Sequence, residues 1–130
     1  MIYLDASALV TLVVERTNAA ELRIYLDAHA AERTHSSTIG FIETVRTCDR
    51  IGVFPGLLGH LLQEHHQLPM SDRVRDEAAR LPGMLRSLDA IHVASAAVLG
   101  PELTALVTYD HRMADAARGA GLPVAMPGLS

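Results

Sequence analysis

The sequence predicts an α/β fold with a central, mainly parallel sheet of four to five strands flanked by helices. Short apolar segments alternate with longer amphipathic segments along the whole chain, and Gly or Pro stands at many of the junctions. Such an alternation places strands side by side in parallel, with helices on both faces of the sheet. The 130 residues, 49% of them hydrophobic, are enough to build one core. We therefore expect a single domain over residues 1–130, and the pattern does not specify the strand order.

Each helix and strand is predicted from the spacing of its apolar residues and from the residues that typically begin or end such an element. Asn18 is placed to cap the second helix, Ser71 or Asp72 the fifth, and Gly100-Pro101 ends the sixth. The predicted strands are 2–4, 33–36, 66–70, 105–108 and 122–125, and the predicted helices are 6–14, 18–30, 38–50, 56–64, 72–81, 87–99 and 111–119.

All 11 basic residues are Arg, and the chain contains no Lys. A phosphate-loop nucleotidase needs a Lys on its phosphates. A haloacid-dehalogenase-type phosphatase and a response-regulator receiver need one as well, so these three classes are excluded. The net charge of -4 also argues against a protein that holds nucleic acid by bulk charge.

The number of cysteines and the length of the apolar segments indicate the cellular compartment that we expect for the protein. Cys48 is the single cysteine, so an internal disulfide and a cysteine metal site are excluded. A reducing cytoplasm is the expected compartment. No segment approaches the roughly 18 apolar residues of a membrane span, so no membrane association is expected.

Four acidic residues stand where an apolar segment meets a helix. Asp5 and Asp110 each follow a predicted strand, Glu43 lies in an apolar helix, and Asp89 begins the long, largely apolar helix. Each has a local explanation: Asp5 and Asp110 as helix caps, Asp89 as a first-turn acid with Ser87 as cap, and Glu43 as a partner of Arg46.

Together, the four acids predict a ligand site. The ends of strands at the carboxyl edge of an open α/β sheet are where such folds bind ligands. Two carboxylates about 4 Å apart repel by roughly 4 kcal/mol at an effective dielectric of 20, so a group of four needs a counter-ion. Mg²⁺ or Mn²⁺ prefers oxygen ligands and meets that need. Ser7 and Thr108 carry hydroxyl groups and lie two residues from Asp5 and Asp110, respectively.

The order of these acids, with "YLDASALV", "SLDAIHVASA" and "LVTYDHRMADAARGAGLPV", resembles the PIN-domain family and its VapC-type toxins of bacterial toxin–antitoxin pairs. The resemblance covers essentially the whole chain and implies a PIN-like α/β/α sandwich. The family's acidic residues correspond to Asp5, Glu43, Asp89 and Asp110, and its supporting hydroxyls to Ser7 and Thr108.

The resemblance implies a Mg²⁺- or Mn²⁺-dependent endoribonuclease that hydrolyses RNA with a metal-activated water. It also implies a cognate antitoxin as partner, and a homodimer or a toxin–antitoxin hetero-oligomer. The apolar stretches 6–30 and 38–64, in a chain of mean hydropathy +0.20, are the expected partner face.

One family feature is missing. A further acid often follows the Thr-x-Asp element, but here His111 and Arg112 follow Asp110. Asp115 lies five residues on, about 500° around the helix, so we expect it on the solvent side. One well-held metal ion and one weakly held or substrate-supplied ion are therefore expected.

Two arginines and one histidine are further candidates for the site. Arg86 is a candidate for contact with a substrate phosphate, although a solvated role at the helix start explains it equally, and the case for Arg112 is similar but weaker. His92 lies three residues after Asp89 on the same helix face, where it packs or supports the site. The remaining histidines lack ligand spacing.

Two alternative functions stay open at this point. One is a non-catalytic PIN-like binding module that keeps the fold without the reaction. The other is a metal-dependent phosphohydrolase of small nucleotides, which turns over mononucleotides without cutting RNA.

Overall fold

The computed structural model of the protein describes residues 1–129, and its five strands form one parallel sheet. The spatial order is β3-β2-β1-β4-β5, with every neighbouring pair parallel. This confirms the predicted α/β class and puts β1 in the middle of the sheet. The strands are β1 (Ile2–Leu4), β2 (Thr34–Ser37), β3 (His66–Leu68), β4 (Ala105–Val107) and β5 (Val124–Ala125).

Seven helices connect the strands. The predicted bounds of the first and last helix match the structure, and the other predicted ends differ by two residues or fewer. A 3-10 turn at Gly100–Glu102 was not predicted. No helix in residues 1–129 has the length and apolar character needed to cross a membrane. The helices are α1 (Ala6–Val14), α2 (Ala19–Ala28), α3 (Thr38–Asp49), α4 (Leu57–Glu64), α5 (Asp72–Arg80), α6 (Ser87–Ala97) and α7 (His111–Gly119).

The sheet is covered on both faces because successive side chains of a strand point to opposite sides. Ile2 and Leu4 of β1 pack against α1 to α4 in one core cluster. Tyr3, between them, belongs to a second cluster with residues of α6 and α7. All three side chains are fully buried. The result is the three-layer α/β/α sandwich that the sequence predicts.

Several helix starts are fixed by side-chain caps. Ser71 caps α5 through a hydrogen bond from the Val74 N–H, as one of the two predicted alternatives. The prediction that Ser87 caps α6 is wrong: Arg86 occupies the cap position and Ser87 is the first helical residue. Asn18 occupies the cap position of α2, but its side chain makes no capping hydrogen bond.

Candidate active site

The candidate site lies at the carboxyl ends of β1 and β4, which are adjacent in the sheet. Asp5 directly follows β1, and its backbone N–H donates to the carbonyl of Val107, the last residue of β4, over 3.2 Å. Thr108 and Asp110 follow β4. The strand register therefore brings Asp5 and Asp110, the first and last of the four candidate acids, to the same end of two neighbouring strands.

Asp5 is the most buried of the four acids, with 1% of its surface exposed. Its Oδ1 accepts hydrogen bonds from the Ser7 hydroxyl at 2.6 Å and from the Ala8 N–H at 2.9 Å. Its Oδ2 accepts a hydrogen bond from the Thr108 hydroxyl. The predicted helix cap is thus present, and two hydroxyls hold the same carboxylate in addition.

The environment of Asp5 works against its negative charge. Burial raises the pKa of the Asp5 carboxyl, because a desolvated charge is unfavourable. A positive charge on His92 and the hydrogen bonds from Ser7, Thr108 and Ala8 lower this pKa in part. A buried carboxylate held by hydroxyls and an amide, without an Arg of its own, is an oxygen ligand suited to a hard cation.

Ser7 and Thr108 join the ends of the two strands into one network. The Ser7 hydroxyl oxygen accepts from the Tyr109 N–H at 2.9 Å, and the Thr108 hydroxyl oxygen accepts from the Asp110 N–H at 3.0 Å. Asp110 caps α7, because its Oδ1 accepts from the N–H groups of Arg112 and Met113. Both hydroxyls predicted to support the acids therefore contact the site.

Glu43 reaches the site from α3 and does not pair with Arg46. Its Oε1 lies 2.7 Å from Nε2 of His92, and the other ring nitrogen of His92 lies 2.7 Å from the Tyr3 hydroxyl. His92 is 1% exposed, whereas the Glu43 side chain is 31% exposed. His92 therefore supports a site acid, which is one of the two roles that its spacing predicted.

Asp89, in the first turn of α6, lies at the edge of a surface groove of about 500 Å³. Its Oδ2 accepts a hydrogen bond from Arg86 Nε at 3.3 Å. Arg86 and Arg112 both line this groove. Asp115 lines the groove as well, but its side chain is 82% exposed, in agreement with the predicted solvent position.

Each of the four acids has a separate hydrogen-bond partner within the chain. Asp5 has the two hydroxyls, Glu43 has His92, Asp89 has Arg86, and Asp110 has the start of α7. Within residues 1–129, no three His, Cys, Asp or Glu side chains are close enough together to hold a metal ion. The oxygen chemistry of the acids fits Mg²⁺ or Mn²⁺, and the ligand set stays a prediction.

The sequence missed one component, the Tyr3 hydroxyl. Tyr3 reads as a core residue of β1, and its contact with His92 spans 89 positions of the chain. No local pattern signals such a contact. The spacing of Asp89 and His92 was the one available indication that His92 faces the site.

Comparison with known proteins places the chain in a family. The family model of the PIN domain matches residues 2–119. Ribonuclease VapC47 of Mycobacterium tuberculosis is 42% identical over 134 residues, with 98% of each chain covered. Ribonuclease VapC46 of the same species is 41% identical over 128 residues, with 97% of each chain covered.

Solved structures share the fold at low sequence identity. VapC20 of Mycobacterium tuberculosis, described as a sarcin-ricin loop cleaving toxin, superposes with a TM-score of 0.74 at 14% identity, covering 98% of this chain and 100% of that one. FitAcB of Neisseria gonorrhoeae gives 0.72 at 17% identity, covering 98% of both chains. By its family match and its full-length relatives, the chain belongs to the PIN-domain family, within the VapC ribonucleases.

Proposed function

We propose that this protein is a metal-dependent endoribonuclease toxin of the VapC type that cuts RNA by hydrolysis. The observation that carries the proposal is the Asp5 carboxylate, buried at the sheet edge, held by Ser7 and Thr108, and joined through Thr108 to Asp110. Burying a carboxylate without a positively charged partner costs stability, and a bound cation would offset that cost. The relatives named ribonuclease VapC, at 41–42% identity over nearly the whole chain, support the reaction class.

The residues that would hold the metal are Asp5, Glu43, Asp89 and Asp110, with Mg²⁺ or Mn²⁺ as the ion. When bound, such an ion supplies the positive charge that polarises a scissile phosphate and activates the attacking water. Asp89 lies beside Arg86 and Asp110 lies at the start of α7, whereas Asp5 has only hydroxyl and amide donors and would gain most from a bound cation.

Ser7 and Thr108 would fix the orientation of Asp5, so that its carboxylate does not have to reorganise during the reaction. Arg86 and Arg112, on the two sides of the groove beside Asp89, would contact the phosphates that flank the cleaved bond. A few guanidinium contacts at the site suit an acidic chain that lacks Lys. The RNA would be single-stranded or looped, as for the family that the chain resembles.

An antitoxin would occupy a separate apolar groove of about 660 Å³ between α1, α2 and α4. Its lining includes Leu12, Leu26, Val53, Phe54 and Leu61, and Val53 is 88% exposed. These residues lie within the stretches 6–30 and 38–64 that the sequence marks as a partner face. We infer that an apolar antitoxin segment covers this groove in a toxin–antitoxin hetero-oligomer. In the absence of the antitoxin, the chain would form a homodimer. The protein would act in the cytoplasm.

The proposed reaction is tested by incubating the purified chain with a mixed RNA pool in Mg²⁺, in Mn²⁺ and in EDTA. Asp89→Asn removes a proposed ligand charge with little change of shape, and Asp76→Asn is the matched control, on an exposed residue of α5 outside the groove. Cleavage that needs a metal, is lost in Asp89→Asn and is kept in Asp76→Asn supports the proposal. Turnover of mononucleotides without RNA cleavage identifies the phosphohydrolase instead, and a folded protein inactive on both substrates identifies the binding module.

A further inference from the structure

His92 connects three elements of the fold through one buried ring. It lies on α6, its Nδ1 contacts the hydroxyl of Tyr3 on β1, and its Nε2 contacts Glu43 on α3. Both distances are 2.7 Å, and the ring and the Tyr3 side chain are almost fully buried. The hydrogen bond to the partly exposed carboxylate of Glu43 indicates that His92 does more than fill the core.

The chemistry of the two partners fixes the proton positions. The Glu43 carboxylate is an acceptor, so Nε2 of His92 carries the hydrogen. In the neutral ring Nδ1 is then an acceptor, and the Tyr3 hydroxyl donates to it. The phenol is the one group of this pair that can then donate, and the oxygen–nitrogen distance of 2.7 Å fits such a bond. The hydrogen bonds therefore run in one direction, from Tyr3 to His92 to Glu43.

Packing holds the ring in this orientation. The rings of Tyr3 and His92 meet edge to face with centroids 5.9 Å apart. On the other side, α3 approaches so closely that a Cβ on Gly40 would overlap the Ser36 hydroxyl and lie 3.2 Å from Cε1 of His92. The close approach of α3 leaves the imidazole little room to tilt or flip.

We propose that Tyr3 and His92 are positioning residues that fix the Glu43 carboxylate for its role in the nuclease site. The proposal rests on the proposed function, since Glu43 matters only if the acidic site binds metal and RNA. One oxygen of Glu43 is held by His92. The side chain remains 31% exposed, which leaves the other oxygen free to serve the site. Glu43 also lines a groove with Leu88, the residue before Asp89 in α6.

The test compares three substitutions in the full-length protein. His92→Phe keeps the ring volume and removes both hydrogen bonds, His92→Gln keeps an N–H donor toward Glu43, and Tyr3→Phe removes one oxygen. Mn²⁺ affinity is measured by calorimetry and RNA cleavage by kcat. Outer partners of metal ligands typically contribute 10–100-fold to affinity or activity. We expect a loss of that order for His92→Phe, substantial recovery for His92→Gln, and a smaller loss for Tyr3→Phe.

Two further readouts separate positioning from simple packing. Nitrogen-15 NMR of the metal-free protein should show the imidazole proton on Nε2. Combining His92→Phe with Glu43→Gln should cost no more than Glu43→Gln alone, because His92 acts through Glu43. A proton on Nδ1, or fully additive losses in the double variant, would overturn the proposal.

The result also distinguishes this inference from the proposed function. If the wild-type protein neither binds Mn²⁺ nor cuts RNA, the proposed function is wrong and the inference falls with it. If the wild type is active and folded His92→Phe matches it in Mn²⁺ affinity and kcat, only the inference is wrong. Should His92→Phe not fold, Tyr3→Phe and His92→Gln decide by the same criteria.

Discussion

The hydroxyl of Thr108 donates a hydrogen bond to the carboxylate of Asp5 across 103 positions of the chain. The same hydroxyl oxygen accepts from the backbone N–H of Asp110. The two acids follow neighbouring parallel strands, and the Thr108 hydroxyl binds the side chain of Asp5 and the backbone N–H of Asp110. A single hydroxyl thus sets the relation between two of the proposed metal ligands.

Replacing Thr108 by Val should therefore damage both activity and stability. The variant keeps the side-chain shape but leaves a buried Asp5 oxygen without its donor, which costs about 1–3 kcal/mol. We expect kcat for RNA cleavage to fall by about 10–100-fold. Thr104→Val is the matched control: that hydroxyl bonds Glu32 at the opposite end of β4 and should leave kcat unchanged. Equal kcat values in the two variants would refute a role for Thr108 in the site.

The sequence predicted local structure better than contacts between elements. The bounds of α1 follow from the Asp5 cap and the apolar run after it, and both are local features. The strand order has no local signal, because any parallel arrangement of these apolar strands would satisfy the alternation. It is the observed order that places β1 beside β4 and so brings Asp5 to Thr108.

The same distinction applies to the site. Four of the candidate site residues could be predicted from the sequence, because each lies at a predicted strand end or two residues from an acid there. They are Asp5, Asp110, Ser7 and Thr108. The partner of Glu43 could not be predicted in this way, because Arg46 is the nearest positive charge along the helix, whereas His92 is 49 positions away. Tertiary packing of α6 against α3 decides that contact, and no helical period encodes it.

Asp5→Asn should abolish RNA cleavage while leaving the metal-free protein folded. The amide keeps the shape of the carboxylate and removes a charge that burial disfavours, so thermal stability in EDTA should be unchanged or higher. Asp76→Asn, on an exposed residue of α5 outside the groove, serves as the control and should keep activity. Full activity in Asp5→Asn would remove Asp5 from the site, and an unfolded variant would show that its cap is needed for structure.

Adding Mg²⁺ or Mn²⁺ should raise the melting temperature of the wild-type protein. An ion that binds only the folded state stabilises it by about 2.7 kcal/mol at 100 times its dissociation constant. This gain should vanish in Asp5→Asn and in Asp89→Asn and persist in Asp76→Asn. Differential scanning fluorimetry against metal concentration provides the comparison. A similar rise in all four proteins would indicate binding elsewhere on the surface.

The groove between α1, α2 and α4 should bind an apolar dye in the isolated protein. Val53 lines this groove, whereas Ile24 is 69% exposed on α2 but lies outside the lining. Val53→Asp should reduce the fluorescence of bound 1-anilinonaphthalene-8-sulfonate, and Ile24→Asp should reduce it far less. Both variants should cleave RNA at the wild-type rate, since the groove is separate from the acids. Equal dye signals in wild type and Val53→Asp would contradict an accessible apolar partner face.

Buried histidines beside β2 and β3 should make the fold less stable in mild acid. Burial lowers the pKa of His35, and a charge on the stacked His66 lowers it further. Burial also lowers the pKa of His65, although Glu64 opposes this. The unfolded chain, with His pKa near 6.5, therefore binds more protons than the native state as pH falls below that value.

The stability that these histidines contribute is present above about pH 6.5 and is lost as pH falls toward their native pKa values. Each unit of pKa difference corresponds to about 1.4 kcal/mol. Urea unfolding in EDTA between pH 7.5 and 5 should show this decline, and His35→Gln should flatten it. His111→Gln removes an exposed histidine on α7, away from His35 and His65, and should leave the slope intact. Parallel pH profiles for His35→Gln and the wild type would show that His35 contributes nothing to the acid sensitivity.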